Sequence, residues 1–160
     1  MLEKMGEINT EKVMKEFEQV TKNAGKIQKE TLKNILELNS EAEYLQETGL
    51  NGRSDPDSFK ECVPIVTHMD IDPYIQRILD GDSTNILTTK PITNVTLSSG
   101  TSQGKPKFVP FNDELFENTM QIYETSYAFR NREFPLNKSK GLFFVYSSKH
   151  FKTKGGLFAG

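Results

Sequence analysis

The sequence contains no tryptophan and a single cysteine, Cys62, in 160 residues. One thiol cannot close an intrachain disulfide, so a disulfide-stapled secreted scaffold is excluded and a reducing compartment, the cytoplasm, is expected. Long apolar runs are also missing. Nothing approaches the roughly 20 consecutive apolar residues that a membrane-spanning helix needs. The first ten residues carry Glu3 and Glu7 but no apolar run, so no signal peptide is expected. Charge of one sign is scarce as well. Twenty Lys and Arg face 22 Asp and Glu, for a net charge of −2. Without a basic excess or a basic run, a nucleic-acid backbone is not an expected partner.

What is present suits a folded domain. Hydrophobic residues make up 35% and charged residues 26%, and 11 Phe and five Tyr supply bulky apolar groups for a core. Residues 10–90 read as mainly helical. Thr10 suits a helix cap, with Val13, Phe17 and Val20 on one face and a break expected at Gly25. A second stretch carries Ile27, Leu32, Ile35, Leu36 and Leu45, and Gly49 with Asn51-Gly52 stops it. Such an amphipathic pair serves either a partner or its own domain, and packing on its own domain is the expectation. Pro56 suits the first turn of a short helix, and Thr67 opens another that contains Tyr74, Ile75, Ile78 and Leu79. Asp70, Asp72, Asp80 and Asp82 do not fit a calcium loop, because Pro73 and Tyr74 interrupt the ligand spacing. They read as first-turn acids and turn residues. His68 and His150 have no evident partner and read as structural or surface residues.

After residue 90 the pattern changes. Residues 91–160 read as strand, glycine loop, strand, long helix and strand. Ile92 to Leu97 is rich in β-formers, and Lys107 to Phe111 makes a second strand. Asn112 or Asp113 then caps a long helix. Leu115, Thr119, Ile122, Ser126 and Phe129 form one stripe of it, and Phe116, Met120, Tyr123 and Tyr127 its neighbour, which predicts a well-buried helix. Leu142 to Tyr146 reads as a buried strand. The whole order predicts α/β architecture behind a helical amino-terminal section. A segment that stops soon after Gly155-Gly156 reads as an incomplete domain.

The stretch that carries chemistry is Ser98-Ser99-Gly100-Thr101-Ser102-Gln103-Gly104-Lys105-Pro106-Lys107. Glycine lets backbone N–H groups approach an anion, hydroxyls donate to phosphate oxygens, and the lysines supply positive charge. It is not a Walker A loop. Three residues rather than four separate Gly100 from Gly104, and Pro106 stands where the motif needs a hydroxyl residue. A dinucleotide fingerprint fails too, because no G-x-G opens a helix.

The order Ser-Gly-Thr-Ser, then glycine, proline and lysine, resembles the first nucleotide motif of the adenylate-forming superfamily. The surroundings narrow the resemblance. Phe59-Lys60, Val63-Pro64, Pro73-Tyr74-Ile75 and Pro106-Lys107-Phe108-Val109-Pro110-Phe111 are similar to the plant acyl acid amido synthetases of the auxin-responsive family. Ala128-Phe129-Arg130-Asn131-Arg132 with Phe134-Pro135 resembles the branch that conjugates jasmonate to amino acids. The resemblance implies the amino-terminal portion of the large domain of an adenylate-forming ligase.

It further implies ATP and Mg2+, with a carboxylic acid such as jasmonate and an amino acid such as isoleucine as substrates. Sister acids of the auxin or benzoate type, another acyl-adenylating ligase, and a non-catalytic binding protein are the alternatives. Implied nucleotide contacts are Ser98, Ser99, Gly100, Thr101, Ser102, Gly104, Lys105, Lys107 and Asn118. Thr101, Thr119 and Tyr123 are the implied acyl-binding residues. Family members are much longer, so a monomeric amino-terminal piece, inactive by itself and lacking the amine-activating base, is the expectation.

Overall fold

The computed structural model describes residues 8–82, 84–100, 104–135, 144 and 149–160. Helices α1 (Thr10–Lys22), α2 (Ala24–Leu38), α3 (Glu43–Glu47), α4 (Pro56–Cys62) and α5 (His68–Asp80) come first. Strands β1 (Asn94–Leu97) and β2 (Phe108–Phe111), helix α6 (Asp113–Glu133), and strands β3 (Phe151–Lys152) and β4 (Phe158–Ala159) follow. The chain divides into two compact units, Met1–Ile27 with Glu114–Ser147, and Gln28–Asp113 with Ser148–Gly160. For clarity they are called the helical unit and the sheet unit.

Local chemistry sets the helix ends. The cap of α1 is Asn9, one residue before Thr10, and its side-chain oxygen accepts the Lys12 N–H at 3.0 Å. The break expected at Gly25 falls at Asn23. The Asn23 amide donates back to the Gln19 carbonyl at 2.9 Å and so satisfies the helix end, while Gly25 sits in the first turn of α2. Asp55 caps α4 by accepting the Ser58 N–H at 2.9 Å, with Pro56 in the first turn. At α5 the Asp70 carboxylate accepts both the N–H and the hydroxyl of Thr67 at 2.7 Å. Gly81, with φ 96°, ends that helix in the left-handed conformation that glycine adopts without strain.

The sheet has the order β2-β1-β4-β3. Strands β1 and β2 form an antiparallel pair with Leu97 opposite Phe108. Strand β4 runs parallel to β1, with Val95 opposite Ala159, and antiparallel to β3. Helix α5 lays Ile75 and Leu79 onto this sheet against Val95 and Ala159. Its next face carries Ile78 into a second cluster with Ile86 and Ile92. Burying each such side chain contributes about 1.5–3 kcal/mol, so this helix–sheet layer is the frame of the sheet unit. Close backbone approach adds to it. The Gly155 N–H donates to the Leu79 carbonyl at 2.7 Å, and a Cβ on Gly155 would lie 2.5 Å from the Gly81 Cα.

The helical unit is built differently. The rings of Phe17 and Phe129 meet edge to face at 5.5 Å, and the guanidinium of Arg132 lies over Phe129 at 5.2 Å. Helix α6 is not the well-buried helix its two stripes predict. Ala128 is its one buried residue among those described, and Ile122 and Tyr123 are 66% and 46% exposed. An apolar stripe records a preference for burial, but the covering surface must come from another element. The strand expected at Leu142 to Tyr146 lies outside the described residues except for Phe144, which is exposed and in no strand. No helix among the described residues is long and apolar enough to cross a membrane.

Candidate functional site

The loop between β1 and β2 is cinched at its neck. The Ser98 N–H donates to the Lys107 carbonyl at 2.9 Å, and the Lys107 N–H donates to the Ser98 Oγ at 2.8 Å. A serine hydroxyl holds two lone pairs and one proton, so Ser98 closes the neck as an acceptor while keeping its own donor. Inside the neck, Gly100 and Gly104 both have φ 71°, and the Gly104 N–H donates to the Gly100 carbonyl at 2.8 Å. Gly100 has a second constraint. A Cβ there would lie 2.9 Å from the Pro106 nitrogen and 3.0 Å from the Lys105 carbonyl carbon. The two arms of the loop touch backbone to backbone at a position only glycine fits.

The other expected site residues fall into clear groups. Ser98 and Lys107 are half-buried at the neck, and Ser99, Gly104 and Lys105 are exposed. Thr101 and Ser102 lie outside the described residues. Asn118, Thr119 and Tyr123 stand on α6 in the helical unit, whereas the loop belongs to the sheet unit. The Thr119 hydroxyl donates to the Leu115 carbonyl of its own helix at 2.7 Å, so that its proton is already engaged. Tyr123 stacks on Tyr127 at 6.3 Å, and Arg130 lies over the Tyr127 ring at 5.2 Å.

Sequence reasoning did not foresee the support of the loop by α5. The Nε2 of His68 lies 3.1 Å from the Phe108 carbonyl oxygen, just past the neck. His68 therefore has a partner, and it sits 40 residues away in the chain. No local signal reveals a contact of that separation.

The acids near this region have structural partners. Arg77 is bidentate to Glu43 and also pairs with Asp82 at 2.9 Å. The Glu43 bond, then Asp82, raises the Arg77 pKa further, and the same Arg77 bond holds the Glu43 carboxyl below its usual range. Lys154 pairs with Asp80 at 3.4 Å. Among the described residues no group of three or more His, Cys, Asp or Glu converges to hold a metal ion.

Comparison with known proteins gives concordant findings. The model of the GH3 family N-terminal domain matches residues 13–160. The jasmonoyl–L-amino acid synthetase JAR6 of Nicotiana attenuata is 71% identical over 150 residues, covering 94% of this chain and 26% of the relative. JAR4, a jasmonoyl–L-amino acid synthetase of the same plant, is 63% identical over 160 residues, covering 100% of this chain and 28% of the relative. The solved structure of the AtGH3.15 acyl acid amido synthetase in complex with 2,4-DB superposes with a TM-score of 0.88 at 34% identity, covering 99% of this chain and 28% of that one. The chain thus spans about a quarter of the length of the curated relatives it matches.

Proposed function

The chain belongs to the GH3 family, and we propose that it carries the first phosphate-binding loop of an ATP-dependent ligase joining jasmonate to an amino acid, isoleucine. The observation that carries this reading is the cinched loop from Ser98 to Lys107, with its left-handed Gly100 and Gly104. Identities of 71% and 63% to jasmonoyl–L-amino acid synthetases favour jasmonate as the acid.

The reaction has two half-steps. The jasmonate carboxylate attacks the α-phosphorus of ATP, the bond to the bridging oxygen breaks, and pyrophosphate leaves. The amine of the amino acid then attacks the acyl carbon, AMP leaves with the acyl-bearing oxygen, and the amine gives up a proton. Negative charge builds on phosphate oxygens in the first step, and preorganised donors lower its barrier. The hydroxyls of Ser98, Ser99, Thr101 and Ser102 are the assigned donors. Gly100 and Gly104 let the loop backbone approach the phosphates, and Lys105 and Lys107 offset their charge. Asn118 is assigned to the nucleotide, and Thr101, Thr119 and Tyr123 to the acyl group. With its hydroxyl proton engaged by Leu115, Thr119 would meet an acyl group through its methyl group. Magnesium, when bound, neutralises phosphate oxygens.

The test is a chimera in which this chain replaces the matching segment of the 71%-identical relative. Jasmonate-dependent exchange of pyrophosphate into ATP, with amide formed from isoleucine and none from coenzyme A, is the expected result. Exchange with an auxin or benzoate-type acid but not jasmonate would reassign the acid. No exchange with any acid would favour a non-catalytic binding protein. The 160-residue chain alone is expected to form no amide.

A further inference from the structure

We infer that His68 is a positioning residue for the nucleotide loop, holding its exit arm, and with it Lys105 and Lys107, against α5. The inference rests on the functional reading above. It starts from the hydrogen-bond pattern of the hairpin. The Ser98 N–H bonds to the Lys107 carbonyl, which makes Ser98 and Lys107 a hydrogen-bonded pair. Their neighbours Leu97 and Phe108 are then a non-hydrogen-bonded pair, and the Phe108 carbonyl points away from β1. Among the described residues β2 is an edge of the sheet, and no other described strand meets that carbonyl.

His68 meets it instead. It is the first residue of α5, its side chain is only 20% exposed, and its Nε2 lies 3.1 Å from the Phe108 oxygen. A carbonyl oxygen only accepts, so Nε2 carries the proton and donates. One turn further along α5, the Asp72 carboxylate lies 3.9 Å from the other ring nitrogen, beyond hydrogen-bond distance, so the Phe108 carbonyl is the ring's hydrogen-bond partner. Helix α5 is itself anchored through Ile75, Ile78 and Leu79. The core therefore fixes α5, α5 fixes His68, and His68 fixes Phe108 beside the Ser98–Lys107 clasp.

The arm is also held by the Ser98–Lys107 clasp, by the β1–β2 ladder and by the packing of Phe108 on the α5–sheet core. Lys105 and Pro106 are exposed, and proline has no N–H to donate. A cavity of about 310 Å³ adjoins the joint, lined by His68, Asp72, Gln76, Lys105, Lys107 and Phe108 among others. Without the His68 bond the arm keeps the Ser98 clasp but loses its anchor to α5, and this space lets the Lys105 end of it move.

The test compares His68→Phe and His68→Gln in the chimera described above. Phenylalanine keeps the ring but removes the donor, whereas glutamine places an amide N–H at similar reach. One hydrogen bond is worth between about 2- and 10-fold in affinity. The expected result is that His68→Phe raises KM for ATP by that factor, leaves kcat and the KM for jasmonate within about twofold, and is substantially rescued by His68→Gln. An unchanged KM for ATP in His68→Phe overturns the inference, as does an equal loss in every parameter that glutamine does not rescue. If the unsubstituted chimera releases no pyrophosphate from ATP, the functional reading fails and this inference fails with it. Pyrophosphate release by that chimera together with an unaltered His68→Phe removes the inference alone.

Discussion

The two compact units reach stability by different means. Ten of the eleven buried apolar residues described, from Leu36 to Ala159, belong to the sheet unit, and Ala128 alone belongs to the helical unit. The sheet unit has a layered core in which α5 covers β1 and β4. The helical unit relies on ring contacts such as Phe17 with Phe129, where Phe17 remains 42% exposed. The loop Ser98–Lys107 is carried by the unit with the core. For the phosphate-binding role proposed here a rigid support is a gain, because donors already in place need no reorganisation when charge develops. Asn118, Thr119 and Tyr123 stand on a helix whose apolar side chains, Ala128 apart, are half-buried or exposed, so that their surroundings are less fixed by their own unit.

Two isoleucines, one in each unit, test this difference most directly. Ile78 is 1% exposed in the sheet unit and Ile122 is 66% exposed in the helical unit. Ile78→Ala is expected to cost about 2–5 kcal/mol in urea unfolding, because it leaves a cavity. Ile122→Ala is expected to stay within about 0.5 kcal/mol. Equal losses would show that the contrast between the units is not energetic.

Next in size is Gly100→Ala. The left-handed conformation costs a side-chain-bearing residue about 1–2 kcal/mol, and the new Cβ would meet the Pro106 nitrogen at 2.9 Å. Jasmonate-dependent exchange in the chimera should fall by at least about tenfold, by the usual relation between free energy and rate. Gly25→Ala, at a position with nothing within 4 Å, is the control. Ser98→Ala then sharpens the role of the neck. It leaves the Lys107 N–H without its side-chain acceptor and should destabilise by about 1 kcal/mol, with a rise in KM for ATP.

The smallest effect expected is a dependence on acid. Hydrogen bonds from Thr67 hold the Asp70 carboxyl below its usual range, and the Ser58 N–H does the same for Asp55. A carboxyl whose pKa is lowered by folding stabilises the protein above the unfolded pKa and loses that contribution as pH falls through the folded value. The urea midpoint should therefore be steady near neutrality and decline below about pH 4, the ordinary carboxylate pKa. Asp70→Asn should flatten the decline, and an unaltered profile in that variant would remove Asp70 as a contributor.

Much of this protein was legible in residue order. Glycine and proline marked the loop and set it apart from a Walker A loop, because three residues between Gly100 and Gly104 and Pro106 after Lys105 are facts of spacing. The helical section and the two strands around the loop were legible from periodicity and β-propensity. Phe111 and Asp113 bounded β2 and α6 close to where the sequence put them.

The exposure of much of α6 and the pairing of β4 with β1 were not legible. Nor were the glycine contact between Gly81 and Gly155 and the bond from His68 to Phe108. Each depends on a partner remote in the chain, and a local pattern states what a residue prefers without naming what it meets. By itself the sequence determined that a hydroxyl-rich loop with two glycines would join two strands. Tertiary structure alone decided that the loop would be cinched by Ser98, closed around Gly100 and held at its exit by α5. The reason is physical: spacing along the chain fixes local conformation, but only packing brings residues 68 and 108 within a hydrogen bond of each other.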